Sequence, residues 1–114
     1  MSRILINQGN HQTIVQKLQV AESTAERARG LLGRTSLPND TGLLILPCRS
    51  IHMWFMRFPI DAAFLDAEMR VLKIARHLRP WQLAFGPRRT HCVLETASGV
   101  LAGINTGDRL AIKE

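Results

Sequence analysis

Residues 60–75, IDAAFLDAEMRVLKIA, decide the fold class of this chain. Two short runs rich in Ile, Phe, Leu and Val flank the polar triplet Asp66-Ala67-Glu68. Such runs favour a pleated, half-buried surface, and acidic residues between them favour a tight reversal. The reading is a β-hairpin over residues 60–65 and 70–75.

Working outward from it, residues 51–58 form a second apolar run ended by Pro59, and GLLIL at 42–46 a third ended by Pro47. Both read as strands, since proline removes a ladder donor and stops pairing. Residues 12–21 set Ile14, Leu18 and Val20 at period two, which predicts another strand. Between these, Ser23 and Glu26 have capping-box spacing, and Ala25, Ala28, Leu31 and Leu32 give a helical stripe that Gly33 is placed to stop. Gly30 inside that helix costs about 1 kcal/mol against alanine, so it marks close packing. Downstream, residues 76–90 hold Pro80 and Pro87 and read as an extended loop. Residues 92–95 read as a strand and 97–102 as a helical turn. A turn at 105–108 then leads into a last strand at 109–113. The expected fold is α+β but mainly β, a small rolled or barrel-like sheet of about six to eight short strands with two short helices.

The totals agree with a single domain over residues 1–114, long enough for a core without staples. An apolar fraction of 46% with 21% charged residues excludes disordered and fibrous classes. The first ten residues lack the apolar core of a secretory signal, and no run approaches a membrane span, so the expectation is a cytoplasmic protein with no membrane. Cys48 and Cys92 stand alone, without C-x-x-C spacing, and in a reducing compartment read as buried thiols. The net charge of +6 has a local source: Arg70, Lys73, Arg76, Arg79, Arg88 and Arg89 lie in a stretch without acidic residues.

The stretch CRSIHMWFMRFPID, residues 48–61, keeps His52, Arg57 and Asp61 within an apolar run. On one continuous strand, His52, Trp54, Met56 and Phe58 share a face, and Arg57 points the other way. Asp61, past Pro59, reaches either side. A half-buried carboxylate beside a guanidinium or imidazole binds anions or carries a proton, or serves as a structural ion pair. Cys48 and His52 are spaced for a helix rather than a strand, and His91 and Cys92 are adjacent. No metal site is therefore expected. No nucleophile elbow and no phosphate loop occurs, so an enzyme is less expected than a binding module, and no cofactor is assigned. The segment 70–89 interleaves arginines with Trp81 and Phe85. The alternative is thus single-stranded nucleic-acid binding through Arg76, Arg79, Trp81, Arg88 and Arg89.

Five stretches carry a resemblance: AERARGLLGR (25–34), LPNDTGLLI (37–45), WFMRFPIDAAFLD (54–66), VLETASG (93–99) and INTGDRL (104–110). In order and spacing they resemble the family called domain of unknown function 192, over about residues 12–113. The resemblance implies a small β-rich domain and no established activity. Two departures stand out. Met69 replaces a glycine common after the acidic turn, and Trp54-Phe55-Met56-Arg57-Phe58 replaces a more usual Phe-Trp-Met-Lys-Asn-Thr run. The family motifs also contain Arg27 and Glu95, for which a contact across the domain, a structural clamp in preference to a ligand contact, is expected. The functional expectation is a small binding or accessory module for a small molecule or anion. Its polar pocket near residues 51–61 would be lined by His52, Arg57 and Asp61, with Arg27 and Glu95 as further candidates.

Overall fold

The computed structural model describes residues 3–114. Nine strands and one helix follow in the order β1 (Arg3–Asn7), β2 (Thr13–Ala21), α1 (Thr24–Arg29), β3 (Thr41–Ile45), β4 (Ser50–His52), β5 (Ile60–Leu65), β6 (Val71–Leu78), β7 (Leu83–Phe85), β8 (Cys92–Ala97) and β9 (Leu110–Lys113). Seven strands form one sheet, ordered β6-β5-β8-β3-β2-β1-β9, and β4 pairs with β7 in a separate two-stranded sheet. Only β2 and β3 run parallel in the large sheet. A parallel pair needs a crossover of a dozen or more residues, and α1 with the chain that follows it supplies this one.

The sheet curls until its outermost strands touch at one end. Arg70 and Arg109 form an antiparallel bridge. Beside it, Val71 N donates to Asp108 O at 2.8 Å, and Leu110 N donates to Met69 O at 2.9 Å. The result is a half-barrel, the rolled, mainly β architecture that the hairpin reading implied.

This curl creates two apolar layers. Leu5, Val15, Leu44, Leu65, Leu94 and Leu101 fill the inside. Ile45, Ile51, Met53, Ile60, Phe64 and Val93 fill the outside, under the β4–β7 pair. Alternation along β5 sends Ile60, Ala62 and Phe64 outward and Ala63 and Leu65 inward. Every residue of β3 and β5 is therefore buried, including the polar Thr41 and Asp61, which is why 42–45 and 62–65 read as apolar runs.

The β5–β6 hairpin forms around Asp66, whose Oδ1 accepts from Glu68 N and Arg70 N at 2.9 Å each. Those bonds hold the turn in which Met69 takes φ 65, a conformation that glycine would adopt without strain. The capping box of α1 is present in both directions. The helix ends at Gly30, with φ 47, and not at Gly33.

Two further expectations are corrected. Residues 97–102 are not a helix, so the chain has one helix among the described residues instead of two. Gly99 takes φ 93, and Val100, Ala102 and Ile104 donate three residues back in successive turns. The carboxylate of Asp61 accepts from Gly99 N and Leu101 N, and a helix over 97–102 would need the second of these for its own Ala97 carbonyl. Residues 51–58 are not one strand either. β4 stops at His52, Phe55 takes φ 64, and Met56 N donates back to Met53 O at 3.2 Å. Residues 76–90 are not all loop, since β6 runs on to Leu78 and β7 lies between the two prolines.

Candidate functional site

Where α1 and its exit loop lie over β4, they leave a cavity of about 160 Å³. Leu31, Ile45, Ile51, Met53 and Met56 give it apolar walls, and Arg27, Cys48, His52 and Glu95 give it polar groups.

Glu95 is placed there by β8. Val93 packs in the outer layer and Leu94 in the inner one, so period two turns Glu95 outward toward the cavity. Its cross-strand neighbours are Leu43 and Ala62, the latter small enough to leave room above it. Glu95 is only 6% exposed, and burial alone pushes its carboxyl up to about 7. No donor of the described residues answers it.

Arg27 reaches the same space from the last turn of α1. Its Nη1 donates to Pro47 O at 3.3 Å, and its Nε is buried without a partner. No ion pair joins Arg27 to Glu95 within 4.0 Å among the described residues. A carboxyl and a guanidinium thus line one cavity unpaired. Buried polar groups are ordinarily satisfied, so an orphaned Arg27 Nε beside a carboxyl that no protein donor answers is unusual.

Cys48 donates to Ser50 O at 3.1 Å. Burial pushes its thiol up; the Ser50 bond opposes this, Glu95 adds to it and Arg27 opposes it. A thiol held protonated in this way is a poor nucleophile. His52 is exposed at the rim, its ring stacked on Trp54 at 5.6 Å.

The cavity therefore gathers Arg27, His52 and Glu95 and leaves Arg57 and Asp61 outside. Arg57 is exposed beyond the Trp54–Phe55 turn. Asp61 is 2% exposed, and its oxygens accept from His77 N at 2.9 Å, Gly99 N at 3.0 Å and Leu101 N at 3.2 Å. Sequence reasoning did not foresee that Gly30, Met53 and Met56 would help form the walls. The signal available was the Gly30-Leu-Leu-Gly33 run, whose first glycine turns the chain back over β4.

The second candidate set divides as well. Arg76 donates to Leu101 O and Ile104 O at 2.6 Å each, so its guanidinium clamps the turn segment. Arg79, Arg88 and Arg89 are exposed and form no ion pair among the described residues. Trp81 is 58% exposed, stacked on Trp54 at 5.8 Å and edge-on to Phe55 at 5.0 Å. Leu83 and Phe85 are exposed on the same face of β7, a patch that their alternation around Ala84 could have signalled. Among the described residues no group of three His, Cys, Asp or Glu side chains could hold a metal ion, and no helix is long and apolar enough to cross a membrane.

Comparisons with known proteins agree with this architecture. A protein of unknown function from Novosphingobium aromaticivorans superposes with a TM-score of 0.82 at 26% identity, over 96% of this chain and 82% of that one. A Sinorhizobium meliloti protein described as a putative transcription regulator gives 0.77 at 24% identity, over 96% and 90%, a likeness of fold alone. A UPF0127 protein of Thermococcus sibiricus is 32% identical over 94% of this chain and 73% of its own length. One from Pyrococcus horikoshii is 28% identical over 94% and 96%. These names state no activity. The model of the DUF192 family, described as "Uncharacterized ACR", matches residues 4–112, and the chain belongs to that family.

Proposed function

We propose that this protein is a small binding module whose site is the cavity between α1 and β4. The observation that carries the reading is Glu95, a nearly buried carboxyl that no protein donor answers, opening on the same cavity as Arg27, whose Nε is buried without a partner. A ligand that donates to Glu95 and accepts from Arg27 supplies both missing partners, and leaving such groups unmade costs about 1–3 kcal/mol each. The raised Cys48 thiol, and a His52 that forms no ion pair with an acid among the described residues, favour binding over covalent catalysis. Of the sequence-derived candidates, Arg27, His52 and Glu95 form the site. Asp61 shapes the fold around it, and Arg57 stands outside.

Amide-resolved NMR with a mixture of small polar fragments tests this reading. Shift changes at Gly30, Leu31, Met53 and Glu95 support it. Changes confined to other surfaces, with these four silent, refute it.

A second reading rests on the exposed Trp81 and Phe55, packed edge-on, and on the exposed Arg79, Arg88 and Arg89 of the same segment, which form no ion pair among the described residues although Arg89 acts on Asp66. Single-stranded nucleic acid would stack on the rings and place its phosphates on Arg79, Arg88 and Arg89, with Arg76 held back by its carbonyl bonds. Oligonucleotide affinity should then fall steeply with salt, and replacing Arg79, Arg88 and Arg89 by Gln should flatten that slope. Salt-independent retention would remove it.

A further inference from the structure

We propose that the cavity recognises a planar heterocycle by a 2-amino-4-oxopyrimidine edge, the edge shared by guanine and the pterins. The inference deepens the binding reading above and rests on it.

Size is the first constraint. A cavity of roughly 150 Å³ with apolar walls accommodates one benzene ring. The cavity here is about 160 Å³, so one six-membered ring enters and any second ring stays at the mouth.

Charge is the second. An anionic ligand reaching Arg27 would meet the Glu95 carboxyl, and a cationic one reaching Glu95 would meet Arg27 and Arg29 on the same lining. A neutral ring avoids both conflicts.

The hydrogen-bond pattern is the third. Glu95 has two acceptor oxygens with no protein donor, and a carboxylate is best satisfied by two parallel N–H groups. Arg27 retains donors beyond the single one spent on Pro47 O, and it needs an acceptor. A ring N–H beside an exocyclic amine, next to a ring carbonyl, presents donor, donor and acceptor in that order. Cytosine and simple carboxamides present only one donor group beside an acceptor. The thioethers of Met53 and Met56 and the side chain of Ile51 offer polarisable, apolar surfaces to the ring faces.

Two sources carry this edge, and Arg29 at the lining separates them. A guanine nucleotide brings a phosphate for which Arg29 offers a cation on the same lining; a pterin brings none. Calorimetric titration of the whole chain with guanosine 5′-monophosphate, guanosine, biopterin, inosine 5′-monophosphate, cytidine 5′-monophosphate and nicotinamide tests the assignment. Guanosine monophosphate or biopterin should bind, and inosine monophosphate, which lacks the 2-amino group, should bind at least about tenfold more weakly than its guanine counterpart. Glu95→Gln, which keeps the side-chain volume, should weaken the guanine or pterin ligand by about tenfold or more. Guanosine monophosphate binding above guanosine and biopterin identifies a nucleotide, and biopterin above both identifies a pterin. Equal binding of guanosine and inosine monophosphates overturns the edge assignment. Preferred binding of cytidine monophosphate or nicotinamide, lost in Glu95→Gln, overturns it too but leaves the pocket reading standing. Failure of all six to bind overturns the edge assignment alone, since the fragment titration decides the pocket reading; binding that Glu95→Gln leaves unchanged, with Gly30, Leu31, Met53 and Glu95 silent, overturns both.

Discussion

Replacing Glu95 by Gln should change how stability depends on pH. Burial raises the Glu95 carboxyl from an ordinary 4.5 to about 7, so the folded protein holds this proton over a range in which the unfolded chain has lost it. A state that binds more protons is disfavoured as pH rises. Wild-type stability therefore has a component that is fully present below about pH 4.5, declines as pH rises toward 7, and is exhausted above it. At about 1.4 kcal/mol per pH unit, that displacement is worth about 3 kcal/mol. The glutamine variant has no proton to lose at this position. Relative to wild type it should gain up to about 3 kcal/mol between pH 5 and pH 8, whatever constant offset the amide itself introduces. Urea denaturation at half-unit intervals over that range measures this. With a slope of about 1–3 kcal/mol/M, the gap between the two midpoints should change by about 1–3 M. Groups common to both proteins cancel in the difference. The lowered carboxyls of Glu26 and Asp66 act at more acid pH, and the raised thiols of Cys48 and Cys92 at more alkaline pH. A difference that stays constant within about 0.5 kcal/mol from pH 5 to pH 8 would refute the claim that Glu95 is buried without a partner.

Asp61→Ala should cost about 3–5 kcal/mol in urea denaturation, because three backbone donors lose a buried charged acceptor; a loss under 1 kcal/mol would contradict its structural role. Gly86→Ala would place a methyl against the Thr90 side chain and 2.7 Å from Phe64 Cδ1, for an expected loss of about 1–3 kcal/mol. Gly103→Ala meets nothing within 4 Å and serves as the control. Ser23→Ala removes the cap acceptor of Glu26 N and should destabilise by about 0.5–2 kcal/mol. In the native protein Cys92, its thiol raised to about 12 chiefly by burial, should resist aromatic disulfide reagents until denaturant is added. Prompt labelling in buffer would contradict that burial.

The hairpin at residues 60–75 was legible because its determinants are local: strand formers on both sides and an acidic turn whose Asp66 bonds its own backbone. The capping box of α1 was legible for the same reason, since both partners lie within three residues. The second helix failed as an expectation because Gly99 takes φ 93 and Leu101 N is claimed by Asp61, which lies 40 residues away in the chain. The strand at 51–58 failed because apolar composition does not distinguish a strand from a packed turn. Trp54 stacks on Trp81, Phe55 meets it edge-on, and Met53 O accepts from Trp81 N, a partner outside any local window.

By itself, then, the sequence determined a mainly β chain, its hairpin, its capped helix and its family motifs. Those properties follow from side-chain period, turn chemistry and capping, which act over a few residues. Tertiary structure alone decided that Glu95 and Arg27 share a cavity without pairing, that Asp61 serves the backbone, and that Arg76 is a clamp. Each depends on where the curl of the sheet brings distant segments together. It also depends on a balance of burial against pairing that is settled only once water has been excluded.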